Sequence, residues 1–401
     1  MSSEIGTATN YQDLLNKLNT FLTTKGKAHD PSFVGTGNGL ISAWDGGASS
    51  VAETFTLTAT DPTTFSVVGS ISGNIGTATV GTTFTHAKLT FLISAGGIAF
   101  VAGDAFQINT ASPWVSKRAV AGDEMIWMAK GNDDAHEIYV GAKVFSDVGG
   151  DYYNWRLGGF TGFNSGNTFF NQPGAIEGDS IPSPITTLWN STIPYWFVAN
   201  GNRVIMFAKV SSVYASMHLG FLSAYVSPGQ WPYPLFVGGN MAFTTEPAVG
   251  SARWKFSNTD YGMHSFWRGS VYPGGAGWTA SSGRFRDPGG RWFGCTYESG
   301  YTDGNNYSAS LWPYCTNDYG LLYLRENLDG TYPLLPISIS SNNGPVLNVD
   351  VNTWGEFDGL KATTGQANAS ENTITEGFLT HVVFQDVYNT AKDAFCALAL
   401  D

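Results

Sequence analysis

Hydrophobic positions along the chain follow two rhythms, and only one short stretch keeps the helical one. Tyr11, Leu14, Leu15, Leu18, Phe21 and Leu22 recur at intervals of three and four, which places them on one face of an α-helix. Asn10 stands where a side-chain oxygen can cap the first turn, and Gly26 where the helix can stop. A single amphipathic helix of this length is marginal by itself, so it must pack on a β core or on a neighbouring subunit. Residues 27–47 then read as a connector punctuated by Gly35, Gly37, Gly39, Gly46 and Gly47.

From Ala48 the rhythm changes to period two. Phe55, Leu57 and Ala59 alternate with Thr, Phe65 and Val67 follow Asp61-Pro62, Leu89, Phe91 and Ile93 alternate again, and Phe106 and Ile108 close the set. Short alternating runs about every ten residues predict a small β-sandwich or barrel over residues 48–111. Trp and Tyr drop out of this segment, which marks it off as a module; the alternative is the first half of a larger sandwich. It looks like the Thr-rich, immunoglobulin-like modules inserted in phage surface proteins.

An aromatic- and glycine-rich body occupies residues 112–401. Ile138, Val140, Ala142 and Val144 alternate as a half-buried strand does. Tyr195 to Ala199 and Val204 to Val210 flank Asn200-Gly201-Asn202, the strongest short-range signal for a hairpin because Asn and Gly reach positive φ cheaply. The apolar segment Val213 to Val226 fits a strand pair or a buried connection, and Pro228, Pro232 and Pro234 frame an aromatic corner around Trp231 and Tyr233. Pro194 to Asn240 is too apolar to face water and is expected to form the core. Asp329-Gly330 marks a second hairpin. The expected fold is all-β: a main sandwich or barrel body, an inserted immunoglobulin-like sandwich and one N-terminal helix, divided at 1–47, 48–111 and 112–401.

Composition supports that class. Charged residues are 13% of the chain and Gly numbers 49, whereas helical surfaces are normally built from Glu, Lys, Arg and Ala. The net charge of −12 argues against wrapping nucleic acid, whose affinity comes from Lys and Arg. Cys295, Cys315 and Cys396 lack metal-site spacing and are expected as reduced thiols, although Cys295 and Cys315 could meet across a hairpin. No signal peptide and no apolar run of about 18 residues is present, so cytoplasmic synthesis without a membrane span is expected.

Three segments carry a resemblance to a known family: YYNWRLGGFTGFNSGNTFFNQPGA (152–175), PYWFVANGNRVIMFAKVSSVYASMHLGF (194–221) and QWPYPLFVGG (230–239), with a weaker fourth in GEFDGLKATTG (355–365) and SENT (370–373). Together they span the chain from about Glu124 onward, and they resemble virion structural proteins of tailed bacteriophages and prophages. The resemblance implies a particle component of the tail, assembled in the host cytoplasm and placed in the virion. It carries no catalytic signature.

Asp133, Asp134, His136 and Glu137 bunch as metal ligands can, but Asp is also favoured in turns, and no second ligand pair stands at a recognisable spacing. His29, His86, His136, His218, His264 and His381 are scattered without a nucleophile or phosphate-loop motif. No catalytic residue, cofactor or metal is therefore assigned. A pair of acids cleaving a sugar polymer remains the enzymatic alternative. Residues 241–317 interleave aromatics with Arg253, Arg268, Arg284, Arg286 and Arg291, which suits core and subunit packing or a partner surface. Leu14, Leu18, Phe21, Trp267, Arg268, Arg291 and Trp292 are the expected subunit contacts of a ring-forming tail subunit in the tube or baseplate region. Its partners are other copies of itself and other tail proteins. Two alternatives stand beside it: a receptor-binding or fibre protein holding host glycans through Trp278 and Trp292, and a capsid decoration protein.

Overall fold

The computed structural model describes residues 1–176, 183–225, 235–241, 255–257, 263–268, 282–286, 290, 292–296, 307–314, 331–343 and 351–400. Its fold is all-β, with one α-helix among the described residues. Strand β1 (Ser2–Ala8) leads into helix α1 (Tyr11–Thr23). The Asn10 side chain accepts from the N–H groups of Gln12 and Asp13 at 3.0 and 2.9 Å, satisfying two of the donors that a helix start leaves bare. The predicted apolar stripe is buried in the body. Burial of Leu14, Leu15, Leu18 and Leu22 contributes roughly 2 kcal/mol each. Indole N–H groups fix the helix from outside: Trp155 donates to Tyr11 O at 3.1 Å and Trp127 to Asn19 Oδ1 at 2.9 Å.

The chain then leaves the body to build the module. Its strands are β2 (Lys27–Val34), β3 (Leu40–Gly46), β4 (Glu53–Asp61), β5 (Thr64–Gly69), β6 (Gly73–Thr79), β7 (Phe84–Thr85), β8 (Leu89–Ser94) and β9 (Ala105–Ala111). They form one sheet in the order β2-β9-β4-β5-β6 and another in the order β3-β8-β7. Both sheets feed one core that holds Trp44, Phe55, Phe65, Phe91, Phe106 and Ile108. The module therefore begins at Lys27, and the expected connector supplies two of its strands. Gly46 and Gly47 mark close backbone approach and not looseness: a Cβ on Gly46 would lie 2.4 Å from the Gly26 carbonyl carbon, and one on Gly47 would lie 2.1 Å from Ala87 O.

The body resumes with β10 (Val115–Val120), β11 (Glu124–Ala129), β12 (Ile138–Asp147), β13 (Tyr152–Phe160) and β14 (Ile185–Thr186), a sheet in that order. Against it lie β15 (Ile193–Ala199), β16 (Arg203–Val210) and β17 (Val213–Phe221), paired as consecutive antiparallel hairpins. These three strands are a middle layer. Tyr195, Phe197, Val204, Met206 and Met217 join the core shared with α1 and the β10–β14 sheet, while Trp196, Val198, Ile205, Phe207 and Tyr214 enter a second core. Both faces are covered, which explains why this stretch is almost continuously apolar and shows no alternation.

The remaining strands are β18 (Ser223–Ala224), β19 (Leu235–Gly238), β20 (Gly283–Arg286), β21 (Trp292–Thr296), β22 (Tyr307–Trp312), β23 (Leu335–Asn343), β24 (Val351–Thr363), β25 (Thr373–Glu376), β26 (Leu379–Gln385) and β27 (Phe395–Leu400). They extend the middle layer into a 14-stranded sheet that starts at β1 and ends at β25. The sheet returns over its own beginning: Phe384 stacks on Phe207 at 4.2 Å, and Tyr214 N–H donates to Val387 O at 3.1 Å. Because β1 pairs with β15 along seven residues, the body holds the chain on both sides of the module. The aromatic corner at Pro228–Pro234 and the Asp329-Gly330 turn lie outside the described residues.

Candidate functional site

The turn between β15 and β16 is held by bonds from several parts of the chain. Asn200 Oδ1 accepts from the N–H groups of Asn202 and Arg203 at 2.8 and 3.1 Å and so holds the turn closed. The turn docks on the loop after β11. Gly131 N–H donates to Gly201 O at 3.0 Å, Gly201 N–H to Asn132 Oδ1 at 2.8 Å, and Asn132 N–H to Asn202 Oδ1 at 3.0 Å. Backbone meets backbone here, and a Cβ on Gly201 would come 2.3 Å from Gly131 O. On one side the Trp114 indole, just past the module's exit, donates to Asn200 O at 2.9 Å. On the other, Asp358 of β24 accepts from Asn200 Nδ2 at 2.7 Å and from the fully buried Arg203 guanidinium at 3.1 Å. Burial lowers the Arg203 pKa and the Asp358 carboxylate opposes that shift.

The acidic bunch beside this turn secures the module. Asp134 accepts from Ala52 N–H at 2.7 Å, from the Ser112 hydroxyl at 2.7 Å and from Ser112 N–H at 3.2 Å. Ala52 precedes β4 and Ser112 follows β9, so one carboxylate ties two connecting segments of the module to the body. Asp134 adopts φ of 58°, a left-handed conformation that Asp and Asn tolerate better than other side chains. Asp133 accepts from Ala135 N–H at 3.0 Å in its own turn, and Glu137 accepts from Tyr139 Oη at 2.8 Å. Burial, helped by that carboxylate, pushes the Tyr139 hydroxyl up to about 12. Among the described residues no group of three or more His, Cys, Asp or Glu side chains is placed to hold a metal ion.

Two further contacts stiffen the joint. Lys27, the first module residue, buries its ammonium under the end of α1, donating to Phe21 O at 2.7 Å and Lys25 O at 3.1 Å and lying 4.4 Å from the Phe21 ring centre. Desolvation lowers its pKa to about 8. At the far end of the module, Phe378 in the β25–β26 turn packs edge-on against Phe33 and Phe106 at 6.5 and 6.1 Å. The module is therefore braced at its root and along its flank.

A second polar cluster locks the C-terminal strands. The fully buried Asp386 accepts from Ser265 N–H at 2.5 Å and from Arg268 at 3.0 Å, and pairs with His264 Nδ1 at 2.6 Å. Arg268 also donates to Asp393 at 3.0 Å. Burial raises the Asp386 pKa, but His264, Arg268 and the Ser265 N–H together hold it below the usual carboxylate range. These two acids grip one guanidinium, and their bonds hold the 263–268 segment on the final strands.

The described members of the expected contact set are used inside the chain. Leu14 and Leu18 are fully buried in the core and Phe21 is 6% exposed, so none offers appreciable area to a second subunit. Trp267 is fully buried 5.3 Å from Tyr314, and Arg268 is engaged as above. Trp292 is 9% exposed and donates to Gly174 O at 3.1 Å, which leaves little ring face for a glycan. Arg291 and Trp278 lie outside the described residues, as does Cys315; Cys295 and Cys396 are buried. Among the histidines, His218 sits between Phe236, Phe266 and Phe357 at 5.2 to 5.7 Å, and burial pulls it down to about 3. No described helix is long and apolar enough to cross a membrane.

Sequence reasoning missed the Asp386 cluster, Lys27 and the clamp at Asp134. His264 and Asp386 stand 122 positions apart, and no spacing rule links them. No protein-family model matches the chain, and no curated protein matches it. Two crystal structures of FlgL from Xanthomonas campestris are similar over a short stretch. One is 26% identical, covers 22% of this chain and 30% of that chain, and superposes with a TM-score of 0.18. The other is 23% identical, covers 23% and 34%, and has the same TM-score of 0.18. Likeness at that level carries no argument about fold or function.

Proposed function

We propose that the chain is a non-catalytic structural component of a tailed-phage virion, a ring-forming tail subunit of the tube or baseplate region. The observation that carries the reading is the braced insertion. Asp134, Lys27 and Phe378 fix a whole β module on a body that continues on both sides of it, which suits a part that must transmit position and load. The segments that resemble virion proteins include the Asn200–Arg203 turn at the root of this brace. The clusters around Asp358 and Asp386 serve internal bracing, and the negative net charge suits a particle wall that does not hold nucleic acid.

Cryo-electron microscopy of the intact particle, with mass spectrometry of its proteins, tests the reading. The expected result is many copies in a ring at one level of the tail. Absence from mature particles, or cleavage of a sugar polymer by the purified chain, overturns it.

A further inference from the structure

The described sheets have nine strands paired on one side only, and eight of them contain a charge or are only two residues long, which discourages pairing with another chain. β1 contains Glu4 and lies beside the module, where Ser2 Oγ accepts from Ala28 N–H at 2.9 Å. β2 contains Lys27, Asp30 and Pro31; β3 contains Asp45; β25 contains Glu376. β10 contains Lys117 and Arg118, while β7, β14 and β18 are only two residues long. β6 differs. It has seven residues, GNIGTAT, with no charge and no proline. The uncharged stretch is wider than the strand, since Pro62 to Ala87 contains no Asp, Glu, Lys or Arg.

The inner ladder fixes which groups β6 offers. Phe65 is opposite Ala78, and Val80 N–H donates to Thr63 O at 2.9 Å, so residues 76, 78 and 80 address β5. The alternation of an antiparallel ladder then turns the backbone groups of Thr77 outward, and with them the Thr79 N–H. Both threonines are exposed. A bulge at Ile75, with Gly76 at φ of 138° and its N–H donating to Asn74 Oδ1 at 2.9 Å, bends the first half of β6 and leaves Thr77–Thr79 in register with β5.

We propose that β6 is the edge at which a second copy of this chain adds, strand to strand and antiparallel, forming one continuous sheet across two modules. The occupant follows from charge. Each copy carries −12, so contact over most of the surface sets like charges together, whereas the β6 edge lets two copies meet without that repulsion. Antiparallel addition centred on Thr77 is two-fold and self-complementary, and it sets Thr opposite Thr, a favourable cross-strand pair. The inference rests on the homo-oligomer reading above and deepens it; ring closure uses another surface.

Sedimentation of the full chain over a range of concentrations tests it, comparing the unaltered protein with Thr77→Pro, Thr77→Lys and, on the charged β25 edge, Thr375→Lys. Circular dichroism and melting temperature show that each variant is folded, and Thr77→Lys decides the matter if the proline variant is not. The expected result is self-association that weakens at least tenfold in both Thr77 variants, about 1.4 kcal/mol, and is unchanged in Thr375→Lys. Added salt should not weaken it, since salt screens the repulsion. Association that the folded Thr77 variants leave intact overturns the β6 contact and leaves the homo-oligomer reading standing. A chain that stays monomeric up to millimolar concentration overturns both.

Discussion

Replacing Asp134 by glycine isolates the contribution of the carboxylate that ties the module to the body. The position has φ of 58°, which glycine adopts without strain, so the variant loses the side chain and nothing else of the turn. Three bonds disappear, two of them at 2.7 Å and one at 3.2 Å. Hydrogen bonds to a charged group are worth roughly 1.5–3 kcal/mol each, but water can reach this half-buried site and recover part of that, so the expected net loss is about 2–3 kcal/mol. Asp134→Ala should cost about 1 kcal/mol more, because its Cβ must be held in the left-handed region. Hydrogen exchange followed by mass spectrometry reads the effect locally. A loss of about 2 kcal/mol corresponds to roughly thirtyfold faster exchange of the Ala52 and Ser112 amides, while the module core around Phe55 and Phe106 keeps its protection. Unchanged exchange at Ala52 and Ser112 in Asp134→Gly would refute the clamp, and so would a glycine variant less stable than the alanine one.

Asp386→Ala should destabilise the chain by about 3–5 kcal/mol in denaturant unfolding, because it leaves Arg268, His264 and the Ser265 N–H without their shared acceptor in the interior; a loss below about 1 kcal/mol would mean that the cluster is not a lock. Alkaline pH should first strengthen the fold and then weaken it. Lys27 is held at about 8 in the folded chain against 10.5 unfolded, so the unfolded state keeps the extra proton between those values. Stability therefore rises with pH across that window, by up to about 3 kcal/mol, and Lys27→Met should abolish the rise. Tyr139 and Tyr214 are pushed up to about 12, so their contribution is full below pH 10 and is lost as pH climbs through the folded value. Melting temperatures from pH 7 to 12 check both limbs.

How much of this was legible depended on how local the cause is. The helix at 11–23 follows from one apolar stripe and one capping Asn, and both act within a few residues. The Asn200-Gly201-Asn202 hairpin was legible as a turn, but not for the expected reason: none of the three residues has positive φ, and the Asn200 side chain closes the turn while Gly201 admits the Gly131 carbonyl. The module's start was not legible, because glycines at 35–47 signal looseness in a sequence, whereas here Gly46 and Gly47 mark where backbones touch. Trp267, Arg268 and Trp292 were expected at contacts between subunits, yet they are buried within the chain by partners that composition does not name. Asp134 was visible as an acidic turn residue, but its acceptor role depends on Ala52, 82 positions away.

Interrupting the body with a module also orders events during synthesis. β1 has to wait for β15, which emerges only after Ala199 has been made, while every pairing partner within the module is available by Ala111. The module can therefore fold near the ribosome first, with the oily side of α1 unsheltered until the rest arrives. A nascent chain arrested far enough beyond residue 111 for β9 to have left the ribosome should already protect the module's amides from exchange while the first 26 residues remain open to protease.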